Sequence, residues 1–269
     1  MKNPFDNPVY WLDSRSRVRE KRLWVLASFF LAVPLVISLL VVFNTVKPDR
    51  SPYSETGMEV SGVAVFFHGA LLSLLSALGA AQRISQERER RTLPALANSP
   101  LDAAETADGK LLGAWRFTAW LACLTLPFLA VATVWGGLPA WKLLAAWALN
   151  LAAALATASL ALGLSGLFGR SLSAYLATGA ALFLWCAVVP VVGGLAGAAA
   201  DPSGEFETRV LASCMFLHLP LAPQAWIFSD GFDGDIPGWL AMGVPLCTWS
   251  AVAALGRALA IRGLKREVY

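Results

Sequence analysis

Six long apolar segments, separated by short charged islands, constrain this chain more than any other feature. A helix of roughly 20 apolar residues is long enough to cross a bilayer. The segments are 23–43, 60–82, 111–135, 143–168, 172–200 and 236–256. Of the 269 residues, 57% are hydrophobic and only 14% are charged, whereas a soluble domain carries roughly 25% charged residues. The sequence therefore predicts an all-α, polytopic membrane protein with six transmembrane helices.

The basic residues are distributed unevenly between the two predicted faces of the membrane. Of the 21 lysines and arginines, 17 fall at the N-terminus, after the second and fourth segments, and at the C-terminus. Because cytoplasmic loops carry an excess of Lys and Arg, both termini are predicted to be cytoplasmic. We expect an N-terminal segment, 1–22, followed by a single transmembrane domain, 23–269.

Residues 7–22 predict a helix that lies on the membrane surface. Pro8 suits the first turn of such a helix, and Arg15, Arg19 and Arg22 recur with helical spacing beside apolar residues. Basic amphipathic helices of this kind bind at the membrane interface. The alternative is a basic flank that only sets the topology.

The loop after the second segment contains the densest run of charges in the chain. The run is Glu87, Arg88, Glu89, Arg90 and Arg91. Glu87 and Arg91 are four residues apart, in the order that favours an ion pair on a helix. We therefore expect the second transmembrane helix to continue beyond the membrane as a charged helix. The alternative is a solvated face of the kind usual at membrane ends.

The residues after this run predict a short crossing helix and then a new long one. Thr92 can cap the short helix, whose apolar face would consist of Leu93 and Leu96. Ser99 with Asp102 resembles a capping box at the start of the helix that enters the third segment. The loop therefore folds back as helix, short crossing helix and helix.

The outer part of the fifth segment and the chain after it predict irregular structure. Pro190, together with Gly193, Gly194 and Gly197, favours a break in the second half of the fifth helix. The later apolar stretch at 210–221 is too short to span a bilayer. We expect re-entrant or outer helices between the fifth and sixth spans.

A few polar residues lie within the predicted spans, where a polar side chain is expected to have either a function or a bonding partner on another helix. His68 contacts either a transported solute or a neighbouring helix, and both alternatives stay open. Asn150 and Thr157 share one face and are expected to bond to other helices, while Ser165 and Gly169 suit either close helix packing or a dimer contact. The spans contain no acidic residue, which argues against proton- or sodium-driven antiport and against a membrane metalloprotease or phosphotransferase.

The loop motif resembles that of the type-2 ABC transporter permeases, the membrane subunits of many bacterial exporters. The matching residues are Glu87-Arg88-Glu89, Thr92-Leu93, Leu96, Ser99-Pro100-Leu101 and Gly109-Lys110-Leu111-Leu112. Two positions depart from the family pattern. Arg91 stands where the family usually has Gly, and Pro94 where it often has Glu.

The resemblance implies a permease in the bacterial inner membrane that pairs with a second copy or a paralogue. A separate ATP-binding subunit would dock on the short crossing helix and on the surface helix. The coupling residues would be Glu87, Arg88, Glu89, Arg90, Arg91, Thr92, Leu93, Leu96, Ser99 and Pro100. This chain has no phosphate-binding loop of the G-x-x-x-x-G-K-[ST] type, so ATP and Mg²⁺ would be held by that partner.

No catalytic residue, metal site, bound cofactor or nucleic-acid partner is predicted for the chain itself, and membrane lipids are its other expected partner. Two alternatives come from different classes. A non-transporting membrane scaffold could use the same ATPase docking, and solute flux would distinguish it from a permease. A lipid-acting intramembrane enzyme would need a convergent set of acidic and histidine residues, which the sequence does not display.

Overall fold

The computed structural model of the chain describes residues 7–11, 25, 28–29, 32, 36, 55–94, 101–136, 140–188, 191–192 and 238–268. Across these residues the regular structure is helical throughout, which confirms the all-α prediction. The helices are α1 (Glu55–Ala80), α2 (Ser85–Glu89), α3 (Ala103–Gly136), α4 (Ala140–Leu167), α5 (Ser171–Phe183) and α6 (Gly238–Val268). A π-helical turn, Leu184–Val188, follows α5 directly.

Helix α4 lies at the centre, with α1 and α6 packed against it and α3 packed against α1. The sequence of α4 explains this position, because the buried face of the helix is rich in alanine and lets neighbouring backbones approach closely. The Nδ2 group of Asn150 donates to the Val65 carbonyl at 3.2 Å, and the Thr157 hydroxyl donates to the Ser73 carbonyl at 3.0 Å. These bonds confirm that both residues hold α4 to α1.

Helices α4 and α6 make the closest contact in the described bundle through glycines. A Cβ atom built on Gly256 would collide with the backbone of Ser159, and one on Gly263 would collide with the backbone of Gly166. The Ser159 hydroxyl donates to the Ala253 carbonyl across the same interface at 2.7 Å. Gly169 takes no part in packing within the chain, because it is exposed and has no neighbouring atom where its Cβ would lie, and a dimer contact there stays a prediction.

Two of the described helices are long and apolar enough to cross a membrane, namely Ala140–Leu167 and Met242–Arg266. The two differ in burial. Helix α4 is mostly enclosed by its neighbours, whereas α6 leaves large apolar side chains such as Leu246 and Leu255 exposed. Together they support the coarse conclusion of a membrane protein.

The fifth predicted segment loses regular α-helical geometry earlier than the sequence suggests. The α-helix ends at Phe183, and the π turn begins at Leu184, six residues before Pro190. Proline prevents the normal bond to the carbonyl four residues earlier, so the adjustment falls on the turn before it. Residues 193–235, with the predicted outer helices, lie outside the described residues, as does most of the first predicted span.

Candidate functional site

The described N-terminal residues attach to the first turns of α3. The Asn7 side chain caps the helical turn at residues 8–11 by accepting from the Val9 N–H at 3.0 Å, and it donates to the Glu105 carbonyl at 2.6 Å. Gly109 makes this approach feasible, since a Cβ there would lie 2.9 Å from the Asn7 amide. The first turn predicted from Pro8 is therefore present, while Arg15, Arg19 and Arg22 lie outside the described residues.

The charged end of the bundle begins where α1 stops. Helix α1 ends at Ala80, and after a turn at 81–84 the chain forms the separate, short α2. The Ser165 hydroxyl oxygen of α4 accepts from the N–H groups of Ile84 and Ser85, each at 3.1 Å. The predicted continuous extension of α1 is wrong, because these bonds redirect the chain onto α4.

Glu87 forms an ion pair with Lys110 of α3, in which the ammonium donates to the carboxylate at 2.5 Å. The predicted pair with Arg91 is wrong, because Arg91 lies beyond the end of α2 and its own side chain is exposed. The side chain of Lys110 is only 1% exposed, compared with 25% for Glu87. Burial lowers the pKa of Lys110, while the nearby Glu87 carboxylate opposes that shift.

Arg88 binds backbone carbonyls at the end of α4 and within α6. Its guanidinium donates to the carbonyls of Phe168 at 2.6 Å and Gly166 at 3.2 Å, at the end of α4. It also reaches the Gly263 carbonyl of α6 at 3.5 Å. Helix C-termini leave carbonyl groups without partners and carry partial negative charge, so the guanidinium satisfies the end of α4, while its longer contact with Gly263, five residues before the end of α6, links the two helices.

Glu89 binds the beginning of α5. Its carboxylate accepts from the Ser171 N–H at 2.9 Å and from the Ser171 hydroxyl at 2.7 Å. An acidic group at a helix N-terminus is favoured by the orphan N–H groups and by the helix dipole. The hydrogen bonds from Ser171 lower the pKa of Glu89, and the charge of Arg170 lowers it further.

The chain turns sharply after α2, at Arg91 and Thr92. Arg91 adopts φ 58° and is the one non-glycine residue with positive φ in the described part of the chain. The N–H and hydroxyl of Thr92 both donate to the Glu87 carbonyl, at 2.9 and 3.3 Å. Thr92 therefore closes the turn behind α2 with its hydroxyl as a donor. It stands directly before the helical residues Leu93 and Pro94, and its predicted capping of the short helix stays a prediction.

Beyond this turn the chain returns toward the bundle. Leu93 is buried in the same apolar cluster as Ile84, so its side chain packs within this chain and is not open to a docking subunit, contrary to the expectation for this residue. Leu93 and Pro94 are helical. Leu96, Ser99 and Pro100 lie outside the described residues.

Helix α3 begins with a reciprocal cap formed by Asp102 and Glu105. The Glu105 N–H donates to the Asp102 carboxylate at 2.6 Å, and the Asp102 N–H donates to the Glu105 carboxylate at 3.3 Å. The prediction placed this capping box three residues too early, at Ser99. Asp102 takes the role because its carboxylate matches a Glu three residues later.

One turn further along α3, a second ion pair joins this helix to α6. The Arg257 guanidinium donates to both carboxylate oxygens of Asp108, at 2.6 and 2.8 Å. Such bidentate pairs have defined geometry as well as charge complementarity. The pair of Asp108 and Arg257 therefore sets the position of α6 along α3 at this end of the bundle.

His68 lies far from the charged end, within the contact between α1 and α3. Its Nε2 atom is 2.8 Å from the Thr125 hydroxyl, which also donates to the Ala122 carbonyl. His68 is fully buried. This geometry matches the helix–helix bond that the sequence left open beside a solute contact.

The arrangement at the charged end is a mechanical joint, in which consecutive side chains of α2 each bind a different helix. Sequence reasoning missed Lys110, Ser165 and Ser171 as the partners in this joint. The signal for Lys110 was present, since it is a lone lysine at the start of an apolar segment. Among the described residues, no three His, Cys, Asp or Glu side chains are grouped as metal ligands.

Comparison with known proteins adds no family assignment. No protein-family model matches the sequence, and no curated protein matches it at a significant level.

Proposed function

We propose that this chain is the permease subunit of an ATP-driven ABC exporter of the type-2 class. It would cross the bacterial inner membrane six times with both termini in the cytoplasm and pair with a second permease. A separate ATP-binding subunit would dock at the charged end of the bundle and supply the energy for transport.

The observation that carries this proposal is the joint formed by Glu87, Arg88 and Glu89. Glu87 binds α3, Arg88 binds the end of α4 and a carbonyl of α6, and Glu89 binds the start of α5. A force applied next to them would reach four other helices through polar contacts. A loop that only terminates a membrane helix has no need for such connections.

The residues that follow the joint are available to a partner. Arg90, Arg91, Thr92 and Pro94 are all exposed. We assign docking to these exposed residues and transmission to Glu87, Arg88 and Glu89, whose side chains are already engaged within the chain. This division refines the set of coupling residues expected from the resemblance.

The exposed apolar surface supports placement of the bundle in lipid. Large apolar side chains are exposed along several helices, including Leu144 of α4, Leu172, Leu176 and Phe183 of α5, and Leu255 of α6. Leu172 and Leu176 lie four residues apart and so share one face of α5, and large contiguous apolar faces are rare on soluble monomers. In a bilayer the same side chains would contact acyl chains.

The test is to purify the chain with the ATP-binding subunit that accompanies it in its native membrane and to reconstitute the complex. Subunit binding, ATP hydrolysis and solute flux are then measured for two variants. The double substitution Arg90→Ala with Arg91→Ala should weaken binding. Arg88→Met should leave binding intact but lower the flux obtained per ATP hydrolysed.

Lys142→Ala serves as the control, because it removes a positive charge at the opposite end of α4. It should change neither binding nor coupling. Absence of any associated ATPase would refute the proposed function. ATP hydrolysis by the complete complex with no flux of any solute would instead indicate a membrane scaffold.

A further inference from the structure

Exposed basic side chains from three separate parts of the chain gather at the charged end of the bundle. This basic face consists of Arg90, Arg91, Arg170, Arg262, Lys265 and Arg266, all exposed. The contacts of Arg88 bring them together, since its guanidinium binds both Phe168 and Gly263. Along the chain, each of the six lies within three residues of Arg88, Phe168 or Gly263.

One exposed carboxylate, that of Glu89, offsets the charge of Arg170 in part, while the carboxylates of Glu87 and Asp108 are paired with other cations. Glu87 pairs with Lys110, Glu89 binds Ser171, and Asp108 pairs with Arg257. Within the part of the chain that the structure describes, none of the six basic residues forms an ion pair. The face therefore presents a concentration of positive charge to whatever lies beyond the helices.

The distance of the basic face from the hydrocarbon core distinguishes a membrane partner from a protein partner. In the proposed topology the third and sixth spans end near the pair of Asp108 and Arg257. Gly263 lies six residues beyond Arg257 on the continuous helix α6, or about 9 Å at 1.5 Å per residue. The lipid headgroup layer is only about 5–7 Å thick on each side of the hydrocarbon core. The basic face therefore projects past the headgroups.

We propose that the basic face binds an acidic surface on the cytosolic ATP-binding subunit, with the last turns of α6 docking beside Arg90 and Arg91. This inference rests on the proposed function and adds the chemistry of the partner surface and a second docking element. Complementary charge steers association and makes it sensitive to salt. The Arg88 contacts would hold the two docking elements at a constant spacing.

The experiment compares two triple variants of α6 in zwitterionic nanodiscs. The reversal variant is Arg262→Glu, Lys265→Glu and Arg266→Glu, and the matched control is Arg262→Lys, Lys265→Arg and Arg266→Lys. Reversal should weaken binding of the ATP-binding subunit at least about tenfold and flatten its salt dependence. The control should bind like the parent, and equal melting temperatures would confirm that both variants are folded.

A second arm uses the chain without its partner and a synthetic deca-glutamate peptide as the probe. The peptide should bind the parent and the control at low salt, and the reversal variant much less. Unchanged binding of both subunit and peptide to the reversal variant would overturn the inference while leaving the permease function intact. Failure to find any ATP-binding subunit would refute the proposed function, and the peptide arm would still decide whether the face recognises acidic ligands.

The same arm is repeated with anionic phosphatidylglycerol in the nanodiscs. The level of the face predicts that this lipid leaves peptide binding nearly unchanged. Complete loss of peptide binding in anionic nanodiscs would show that the face is covered by the membrane surface, which would also overturn the inference.

Discussion

At the scale of single residues, Arg91 shows how a departure from a family pattern acquires a physical meaning. The family that the loop resembles usually has glycine at this position, and Arg91 adopts φ 58°. This left-handed region costs an L-residue with a side chain roughly 1–2 kcal/mol, whereas glycine enters it freely. The turn after α2 therefore has a geometry suited to glycine and is occupied by arginine.

Arg91→Gly should stabilise the protein by about 0.5–1 kcal/mol, because relief of the strained φ exceeds the extra entropy that glycine has in the unfolded chain. The measurement is the thermal unfolding midpoint of the purified protein. Arg91→Ala removes the same charge but keeps the strain, so it should give no gain. A rise for the alanine variant equal to that for glycine would attribute the effect to charge instead.

The buried ion pair at the charged end is asymmetric in its exposure. Lys110 is almost completely enclosed, while water can reach about a quarter of the Glu87 side chain. Removing one member of a buried pair leaves the other charge uncompensated. The cost should therefore depend on which member remains.

Glu87→Gln should destabilise the protein by about 3–5 kcal/mol, because it leaves a charged and fully buried Lys110. Lys110→Met should cost clearly less, since the side chain that remains is about 25% exposed rather than fully enclosed. Unfolding midpoints in denaturant at pH 7 provide the comparison. Equal losses for the two variants would contradict the role given to the difference in burial.

The same variants should differ in their dependence on pH. Burial holds the pKa of Lys110 below its usual value of 10.5, so between the folded and unfolded pKa values the unfolded chain binds more protons. Stability then rises with pH across this window. The Glu87 carboxylate opposes this lowering of the Lys110 pKa. Its removal therefore widens the pH range between the folded and unfolded pKa values. The loss of stability caused by Glu87→Gln should shrink as pH rises toward 10.5, whereas the loss caused by Lys110→Met should not show this trend.

At the scale of secondary-structure elements, the contact between α4 and α6 depends on where its glycines lie. Gly256 leaves no room for a Cβ atom against the Ser159 backbone, whereas Gly243, on the same helix, has open space at that position. Small residues at intervals along an apolar helix predict some close contact. They do not identify which of the glycines in this chain takes part.

One substitution should therefore have opposite effects at two positions of α6. Gly256→Ala should destabilise the protein by about 1–3 kcal/mol, because the added methyl group separates two packed backbones. Gly243→Ala should be neutral or stabilising by up to about 1 kcal/mol, through the higher helix propensity of alanine. Thermal unfolding of the pair provides the measurement, and a loss at both positions would refute the packing explanation.

At the scale of the whole molecule, the positions of the helices were largely predictable from the apolar segments. The described helices cover the second, third, fourth and sixth predicted segments and the first part of the fifth. The polar residues of α4 were also predictable in their role, because a polar group on a mostly apolar helix needs a partner on a neighbour. Asn150 and Thr157 have such partners in α1.

The details of the charged end were much less predictable. Glu87, Arg88 and Glu89 were recognised as a dense charge run, but their partners lie 23, 80 and 82 positions away in the chain. An i, i+4 pattern describes only the interactions available within one helix. It cannot include the competing carbonyls and N–H groups that other helices bring to the same place.

The sequence by itself therefore determined the all-helical class, the apolar segments and the location of the charge-dense loop. These follow from local composition and periodicity, which act before any helix meets another. Only the tertiary structure decided that α2 separates from α1, that Lys110 is the partner of Glu87, and that Arg88 joins α4 to α6. Those choices depend on the packing of helices, because packing alone decides which distant polar groups become buried together and must satisfy one another.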